Sequence, residues 1–300
     1  MTPPTEPLPY AFSSRPLAAP LARPRTAASS MFSAASLFSF VGVLFTSFSP
    51  VIVLSVTTVS TQPMYLVLAI FAAFFWSCAI SVAAIVWTIL VPLRSMLWLL
   101  VLYAVVLQEL ARWGTYALFE RLMRGLRSAG LTPTELARTP PAQVVPAAVA
   151  AGVGAGVMQV LTMHGDVLAG SLRPGTLYTP SCDALSLFAV DALTNLASIT
   201  LNVLLSIIGW TAAYPRGSVT LWAALLGLHA LAASATLLNT QLPGLVPAGQ
   251  GCAYSLPSLY TVVLIAAAIT ARVAATSMCA PRLSEATSAA AATSTRAGRE

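Results

Sequence analysis

The feature that most restricts how this chain can fold is a series of long apolar segments. A transmembrane helix needs about 20 consecutive, mostly apolar residues to cross the hydrocarbon core of a bilayer. Seven segments satisfy this requirement, at roughly 34–60, 65–91, 96–118, 143–163, 185–211, 219–239 and 257–279. The sequence therefore predicts an all-α, polytopic membrane protein with seven transmembrane helices.

The composition excludes an ordinary soluble fold. Of the 300 residues, 57% are hydrophobic and only 8% are charged, and the mean hydropathy is +0.82. A soluble domain has about 25% charged residues, so this chain has too little polar surface to face water on all sides. Its basic residues are dispersed among loops and ends, without the clustered basic and aromatic side chains of a nucleic-acid-binding surface.

Segments of different composition flank the apolar region. Residues 1–30 contain seven prolines and have no periodic pattern of apolar residues, and the last twenty residues are rich in Ala, Ser and Thr. Neither composition favours a packed core. We predict a disordered N-terminal extension at 1–30, a seven-helix transmembrane domain at 31–280 and a disordered C-terminal tail at 281–300.

The arginines predict how the helices are oriented, because short cytosolic loops carry an excess of basic residues. With seven helices, the first, third and fifth loops lie on the same face as the C-terminus. That face has eight arginines: Arg121, Arg124, Arg127, Arg138, Arg216, Arg282, Arg296 and Arg299. The other face has five, three of them in the N-terminal extension: Arg15, Arg23, Arg25, Arg94 and Arg173. We therefore predict a lumenal or extracellular N-terminus and a cytosolic C-terminus.

The third apolar segment contains charged residues. Glu109 and Arg112 are three residues apart, and Gln108 and Arg112 are four apart, so each pair shares one face of a helix. We expect Arg112 to pair with Glu109 while its guanidinium extends toward the cytosolic interface. Two interpretations follow: a packing pair between helices, or a direct functional contact.

The fifth segment carries a polar stripe, formed by Asp191, Asn195, Ser198 and Asn202. At 100° per residue these positions fall within about 60° of one another on a helix. Polar side chains are costly in contact with lipid, so the stripe is expected to face a neighbouring helix or a water-filled cavity. Interhelical hydrogen bonding and cavity lining both agree with this pattern.

The fourth segment contains small residues at a regular spacing. Ala148, Gly152 and Gly156 recur every four residues, and Gly154 widens the same flat surface. Small residues at this spacing let two helix backbones approach closely. We predict a helix-packing or assembly surface here.

Familiar catalytic motifs are missing from the sequence. It contains no H-E-x-x-H, C-x-x-C, P-loop or G-x-S-x-G pattern, and an aspartyl dyad would require a second intramembrane aspartate besides Asp191. His229 lies inside a predicted span, where a lone histidine is typically a hydrogen-bonded packing element, and His164 lies at a loop edge. We predict no catalytic residue, no metal site and no cofactor.

Two cysteines are placed where a disulfide could form. Cys182 and Cys252 fall in the fourth and sixth loops, which the predicted orientation puts on the same lumenal side. Because that compartment is oxidising, we predict a disulfide between them.

Residues 31–280 resemble the anterior-pharynx-defective (Aph) subunit of γ-secretase, the intramembrane protease complex built around presenilin. Five motifs carry the resemblance in order: "FSP" at 48–50, "FFWSCAISVAAIVWTILV" at 74–91, "VLQE" at 106–109 with an arginine three residues beyond the glutamate, the ladder of Ala148, Gly152 and Gly156, and "HALAASATLLN" at 229–239. Two positions depart from the family. Its ladder begins with glycine, and its second histidine, in the fifth span, corresponds to a place near Leu201 or Asn202 here. The polar stripe favours Asn202 as the substitute, which can hydrogen-bond but cannot titrate.

The resemblance implies a noncatalytic scaffold. In that family the subunit holds presenilin and the large glycosylated subunit nicastrin, and a small presenilin-enhancer subunit completes the complex in the endoplasmic reticulum, Golgi and plasma membrane. It also implies a role of the glycine ladder in assembly and a histidine facing presenilin, at His229.

Three other functions agree with the residues. A small-solute transporter or channel could use the stripe of the fifth segment together with Glu109 and His229. A seven-helix receptor is compatible with the composition. An intramembrane hydrolase acting alone would depend on His229.

Overall fold

Seven long helices make up most of the computed structural model, which describes residues 34–90, 96–129, 140–173, 175–239, 246–247 and 249–297. The N-terminal extension predicted at 1–30 lies outside these residues. The helices are α1 (Ala34–Thr57), α2 (Pro63–Ile89), α3 (Leu97–Ser128), α4 (Pro140–Gly170), α5 (Leu187–Ile208), α6 (Val219–Leu237) and α7 (Gly251–Ala297). The described part of the chain has no β-strand, only isolated bridges, so the all-α prediction is confirmed.

Six of these helices are long and apolar enough to cross a membrane. The seventh helix, α3, is too polar to be counted with them: it contains Glu109 and Arg112, and its second half is more polar than its first. The protein is therefore an integral membrane protein with at least six candidate spans among the described residues. The length and composition of the helices do not test the count of seven spans or the orientation of the termini, so both stay predictions.

Helix boundaries follow from local backbone chemistry. A short 3-10 turn, Val59–Thr61, follows the end of α1. Pro63 is the first residue of α2, where the backbone N–H that proline lacks would have no partner within the helix. The Ser186 side chain caps α5 by accepting a hydrogen bond from the amide of Ala189 at 3.3 Å. After α5 the chain continues through a π-helical turn, Gly209–Ala213, and one further α-helical turn.

Helices α4 and α5 form the centre of the bundle. Helix α1 packs on both of them, α2 packs on α4 and α3, and α7 packs on α5 and α6. The small-residue surface of α4 makes the central contact possible. A Cβ atom added at Gly152 would lie 2.6 Å from the Cα of Val203, and one at Gly156 would lie 3.1 Å from the Cα of Ile199.

The ends of α4, α5 and α7 are joined on one face of the bundle. Cys182, in the connection between α4 and α5, forms a disulfide with Cys252 at the start of α7, with Cα atoms 5.5 Å apart. The amide of Gly251 also donates to the carbonyl of Ser181 at 2.6 Å. These links fix the start of α7 against the loop that precedes α5.

Helix α7 extends further than the sequence pattern indicates. It continues to Ala297, through most of the segment at 281–300 for which we predict a disordered tail. The physical reason is composition: this segment is rich in alanine, which has the highest helix propensity of all residues.

Candidate functional site

A buried polar cluster lies at the centre of the bundle, and Glu109 of α3 is its hub. Glu109 and Arg112 are one helical turn apart and form an ion pair through Glu109 Oε1 and Arg112 Nη1. The same carboxylate oxygen lies 2.6 Å from Nδ1 of His229, on α6. One carboxylate therefore connects two basic side chains and joins α3 to α6.

The cluster continues from Arg112 into α5 and α4. Arg112 Nη2 donates to Asn202 Oδ1 at 2.8 Å, and Asn202 Nδ2 donates to Gln159 Oε1 at 2.5 Å. Glu109, Arg112, His229, Asn202 and Gln159, which we call the central cluster, therefore tie α3, α4, α5 and α6 together. Asn202 thus lies at the centre of the bundle, between the arginine and α4.

Burial explains why these side chains are paired. Glu109 is 1% exposed, Arg112 7%, Asn202 3% and His229 5%. Removing an unpaired charge from water costs several kcal/mol, and pairing with further hydrogen bonds offsets that cost. The guanidinium of Arg112 is buried inside the bundle and bonded to Glu109 and Asn202, and its position relative to the cytosolic interface stays a prediction.

A second polar group lies closer to the disulfide face. His164 Nδ1 is 2.5 Å from Asp191 Oδ1, and Asn195 Nδ2 donates to Asp191 Oδ2 at 2.9 Å. His164 belongs to α4, which runs to Gly170, and not to a loop edge as the sequence indicates. The sequence pattern missed this pair because the predicted fourth segment ends at 163, which leaves His164 in a loop 27 residues before Asp191.

A cavity of about 580 Å³ lies between these two polar groups. Helices α2 to α6 form its walls, and Leu259 of α7 contributes one side chain. Its lining includes Trp87 near the end of α2, Leu100 near the start of α3 and Leu237 at the end of α6. The cavity therefore occupies the half of the bundle that carries the disulfide.

The polar stripe of α5 serves two purposes. Ser198 and Asn202 line the cavity, whereas Asp191 and Asn195 are buried and hydrogen-bonded to each other beside His164. Asp191 also bonds to His164 of α4, and Asn202 bonds to Arg112 and Gln159. Both interpretations of the stripe therefore hold, and Asn202 combines them.

A much smaller space lies on the other side of Gln108. Its volume is about 10 Å³, enough for a single water molecule. Trp76, Gln108, Arg112 and Ser206 line it, and each has a buried polar side-chain atom with no protein hydrogen-bond partner among the described residues. Gln108 lines both spaces, so it separates the large cavity from this small one.

The small-residue surface of α4 contacts other helices of the same chain. Ala148 is fully buried, and Gly152 and Gly156 contact α5. Gly154 faces the opposite neighbour, where an added Cβ would overlap the backbone of Ala69 in α2. The surface brings α4 against two helices of the same subunit.

The sequence reasoning missed Gln159 as well as His164. Gln159 lies three residues after Gly156, next to the small-residue surface, and a polar side chain at such a position indicates an interhelical hydrogen bond. Among the described residues, no group of three or more His, Cys, Asp or Glu side chains has the arrangement of a metal site.

Comparison with known proteins adds an independent observation. A family model described as Aph-1 protein matches residues 38–277. Gamma-secretase subunit APH1-like from Arabidopsis thaliana is 25% identical over 228 residues, which is 74% of this chain and 87% of that protein. Gamma-secretase subunit APH-1B from Mus musculus is 28% identical over 209 residues, which is 67% of this chain and 78% of that protein.

A third relative comes from a further animal lineage. Gamma-secretase subunit Aph-1 from Drosophila melanogaster is 29% identical over 173 residues, which is 58% of this chain and 70% of that protein. The region that the family model matches extends from α1 into α7 and so includes every residue of the central cluster. The chain therefore belongs to the Aph-1 family.

Proposed function

We propose that this chain is a noncatalytic scaffold subunit of a γ-secretase-like intramembrane aspartyl protease complex. Its partners would be a presenilin-like protease, a nicastrin-like subunit and a presenilin-enhancer-like subunit. The observation that carries the proposal is the family match over residues 38–277, with relatives in a plant and in animals that are named as subunits of gamma-secretase. The complex would reside in the endoplasmic reticulum, Golgi and plasma membrane.

The geometry supports a structural role for the buried charges. Glu109 accepts from Arg112 and His229, and Arg112 also donates to Asn202. Together with the bond from Asn202 to Gln159 of α4, these bonds hold four helices in one arrangement. A rigid bundle is what a scaffold needs in order to present fixed helix faces to its partners. We assign the central cluster to positioning and not to catalysis.

The small-residue surface would support assembly indirectly. Because Gly152 and Gly156 pack against α5 and Gly154 packs against α2, a bulky side chain there moves helices of this subunit. A loss of partners in such a variant would therefore follow from a change in the shape of the bundle.

Affinity purification tests the proposal. Tagged full-length chain is purified in a mild detergent and every co-purifying chain is identified. We expect a presenilin-like protein with two intramembrane aspartates, and we expect Gly156→Leu to lose it. Gly165→Leu on the same helix is the matched control, because a Cβ at Gly165 meets no atom within 4 Å. Recovery of the chain alone, or only with copies of itself, would contradict the scaffold function.

A transporter or channel is the second candidate, and the cavity lined by Ser198, Asn202 and His229 favours it. The adjoining space beyond Gln108 holds about 10 Å³, room for one water molecule and too little for a hydrated solute. Flux measurements in proteoliposomes discriminate between the two functions. Solute uptake that Ser198→Leu blocks would favour transport, whereas a scaffold shows no uptake above that of empty liposomes.

A further inference from the structure

The lining of the large cavity contains side chains of two chemical kinds. Ile80 and Trp87 of α2, Leu100 of α3 and Met163 of α4 are apolar. Other lining side chains can form hydrogen bonds: Gln108, Gln159, Ser198, His229 and Thr236. A ligand that matches both kinds has an apolar body and a polar group.

The charges around the cavity are already compensated. The two histidines in its lining, His164 and His229, are each bonded to a carboxylate that lies behind the lining, on Asp191 and Glu109 respectively. Glu109 is paired with Arg112 as well. An ionic head group would lose its hydration without gaining an unpaired counter-charge, which is strongly unfavourable. The polar group of the ligand is therefore neutral.

The hydrogen bonds of the central cluster define which neutral group fits. Gln159 uses its carbonyl oxygen to accept from Asn202, so the NH₂ group of the same amide is the donor on that side. Nδ1 of His229 contacts the Glu109 carboxylate, so Nε2 is the ring nitrogen that this bond leaves for a ligand. A hydroxyl group both accepts and donates hydrogen bonds, so it can accept from the NH₂ group of Gln159 and bond to Nε2 of His229.

Size and access indicate where the ligand comes from. A volume of about 580 Å³ is within the range of roughly 300–1,000 Å³ that small-molecule sites occupy. Trp87 and Met163, which line the cavity, are 41% and 51% exposed, and both lie on candidate membrane-spanning helices. Exposed apolar side chains on such helices favour a ligand that enters from the bilayer.

We propose that this cavity binds a neutral, hydroxyl-bearing membrane lipid, of either the sterol or the monoacylglycerol class. Its hydroxyl group lies at the inner end, near Gln159 and His229, and its apolar body packs against Ile80, Trp87 and Met163. This binding site is additional to the scaffold function and does not depend on it.

Photolabelling of the full chain, purified with its associated subunits in a mild detergent, tests the proposal. The probes are a sterol and a monoacylglycerol that each carry a diazirine and an alkyne. We expect one of them to label peptides that line the cavity, and the probe that does so identifies the lipid class. We expect Ala233→Phe, which fills the cavity, to reduce this labelling by about tenfold or more. Ala223→Phe on the same helix is the matched control, because Ala223 is exposed and lies outside the lining.

A second arm uses the unchanged protein and so does not depend on whether a variant folds. The unlabelled lipid competes with the probe, and its methyl ether, which cannot donate a hydrogen bond, is expected to compete about tenfold more weakly. Labelling by both probes that is equal in Ala233→Phe and Ala223→Phe, or equal competition by the lipid and its methyl ether, would overturn the proposal.

Discussion

Glu109 is the carboxylate of the central cluster, and its loss leaves both Arg112 and His229 without that partner. Its carboxylate serves Arg112 and His229 together, and Arg112 in turn orients Asn202. In a site with so little access to water, the carboxylate is the counter-charge that makes a buried guanidinium tolerable. Substitutions of these residues should therefore act as a group and not independently.

We predict that Glu109→Leu destabilises the purified protein by about 3–5 kcal/mol, because it leaves Arg112 buried without a counter-charge. Thermal unfolding in a mild detergent measures the effect. Glu120→Gln, on the exposed face of the same helix, is the control and should change stability by less than about 0.5 kcal/mol.

The double variant Glu109→Leu/Arg112→Met tests the reason for that loss. Since apolar residues often replace a whole buried ion pair at little cost, we predict that the double variant is more stable than Glu109→Leu alone. A double variant that is less stable than the single one would show that Arg112 is not the source of the destabilisation.

The sequence indicates four of the five residues of the central cluster and the pair of Glu109 with Arg112, but not Gln159 and not the bonds between helices. Glu109, Arg112, Asn202 and His229 stand out because each is a polar residue within an apolar run. The bond from Glu109 to His229 joins residues 120 positions apart, and helical periodicity contains no information on contacts of that separation. Pairing depends on how the helices pack, which the local pattern does not determine.

At the scale of single elements, α4 depends on small residues more than any other helix. Gly152 and Gly154 allow contact with α5 on one side and α2 on the other. The length of α3 shows the limit of reading spans from hydropathy alone. Phe119 and Met123 remain buried while Glu120 and Arg121 are exposed, so the helix continues past the apolar run as an amphipathic helix.

Gly154→Ala is predicted to destabilise the bundle by about 1–3 kcal/mol, since its methyl group would overlap the backbone of Ala69 and force α2 and α4 apart. Gly165→Ala on the same helix has open space around it, and its better helix propensity should leave stability unchanged or raise it by up to about 1 kcal/mol. Equal unfolding temperatures for the two variants would show that the close approach of α2 and α4 is not needed.

The disulfide is a second feature at this scale. Cys182→Ser should lower the free energy of unfolding by about 2–5 kcal/mol, because the bond closes a loop between residues separated by 70 positions. Cys78→Ser serves as the control, as Cys78 is an exposed free cysteine on α2. Mobility shifts after alkylation, with and without reductant, would show whether the bond is present in the purified protein. Two alkylated thiols at Cys182 and Cys252 without reductant would contradict it.

For the whole molecule, we propose that this chain supports proteolysis without performing it. Composition and the order of the apolar segments were sufficient to predict an all-helical membrane bundle, because both follow from the requirement to satisfy backbone polar groups in lipid. The cavity could not be predicted in the same way, since its walls come from residues 80–84 and 232–237 and from the helices between them.

The most direct measurement is reconstitution of proteolysis in cells that lack their own Aph-1-family subunit. A reporter of intramembrane cleavage is expressed with this chain, with or without active presenilin-like aspartates. We predict that adding the chain restores cleavage, that removing those aspartates abolishes it, and that the chain purified alone cleaves nothing. Cleavage by the chain alone, lost in His229→Ala, would contradict the account and identify an intramembrane hydrolase instead.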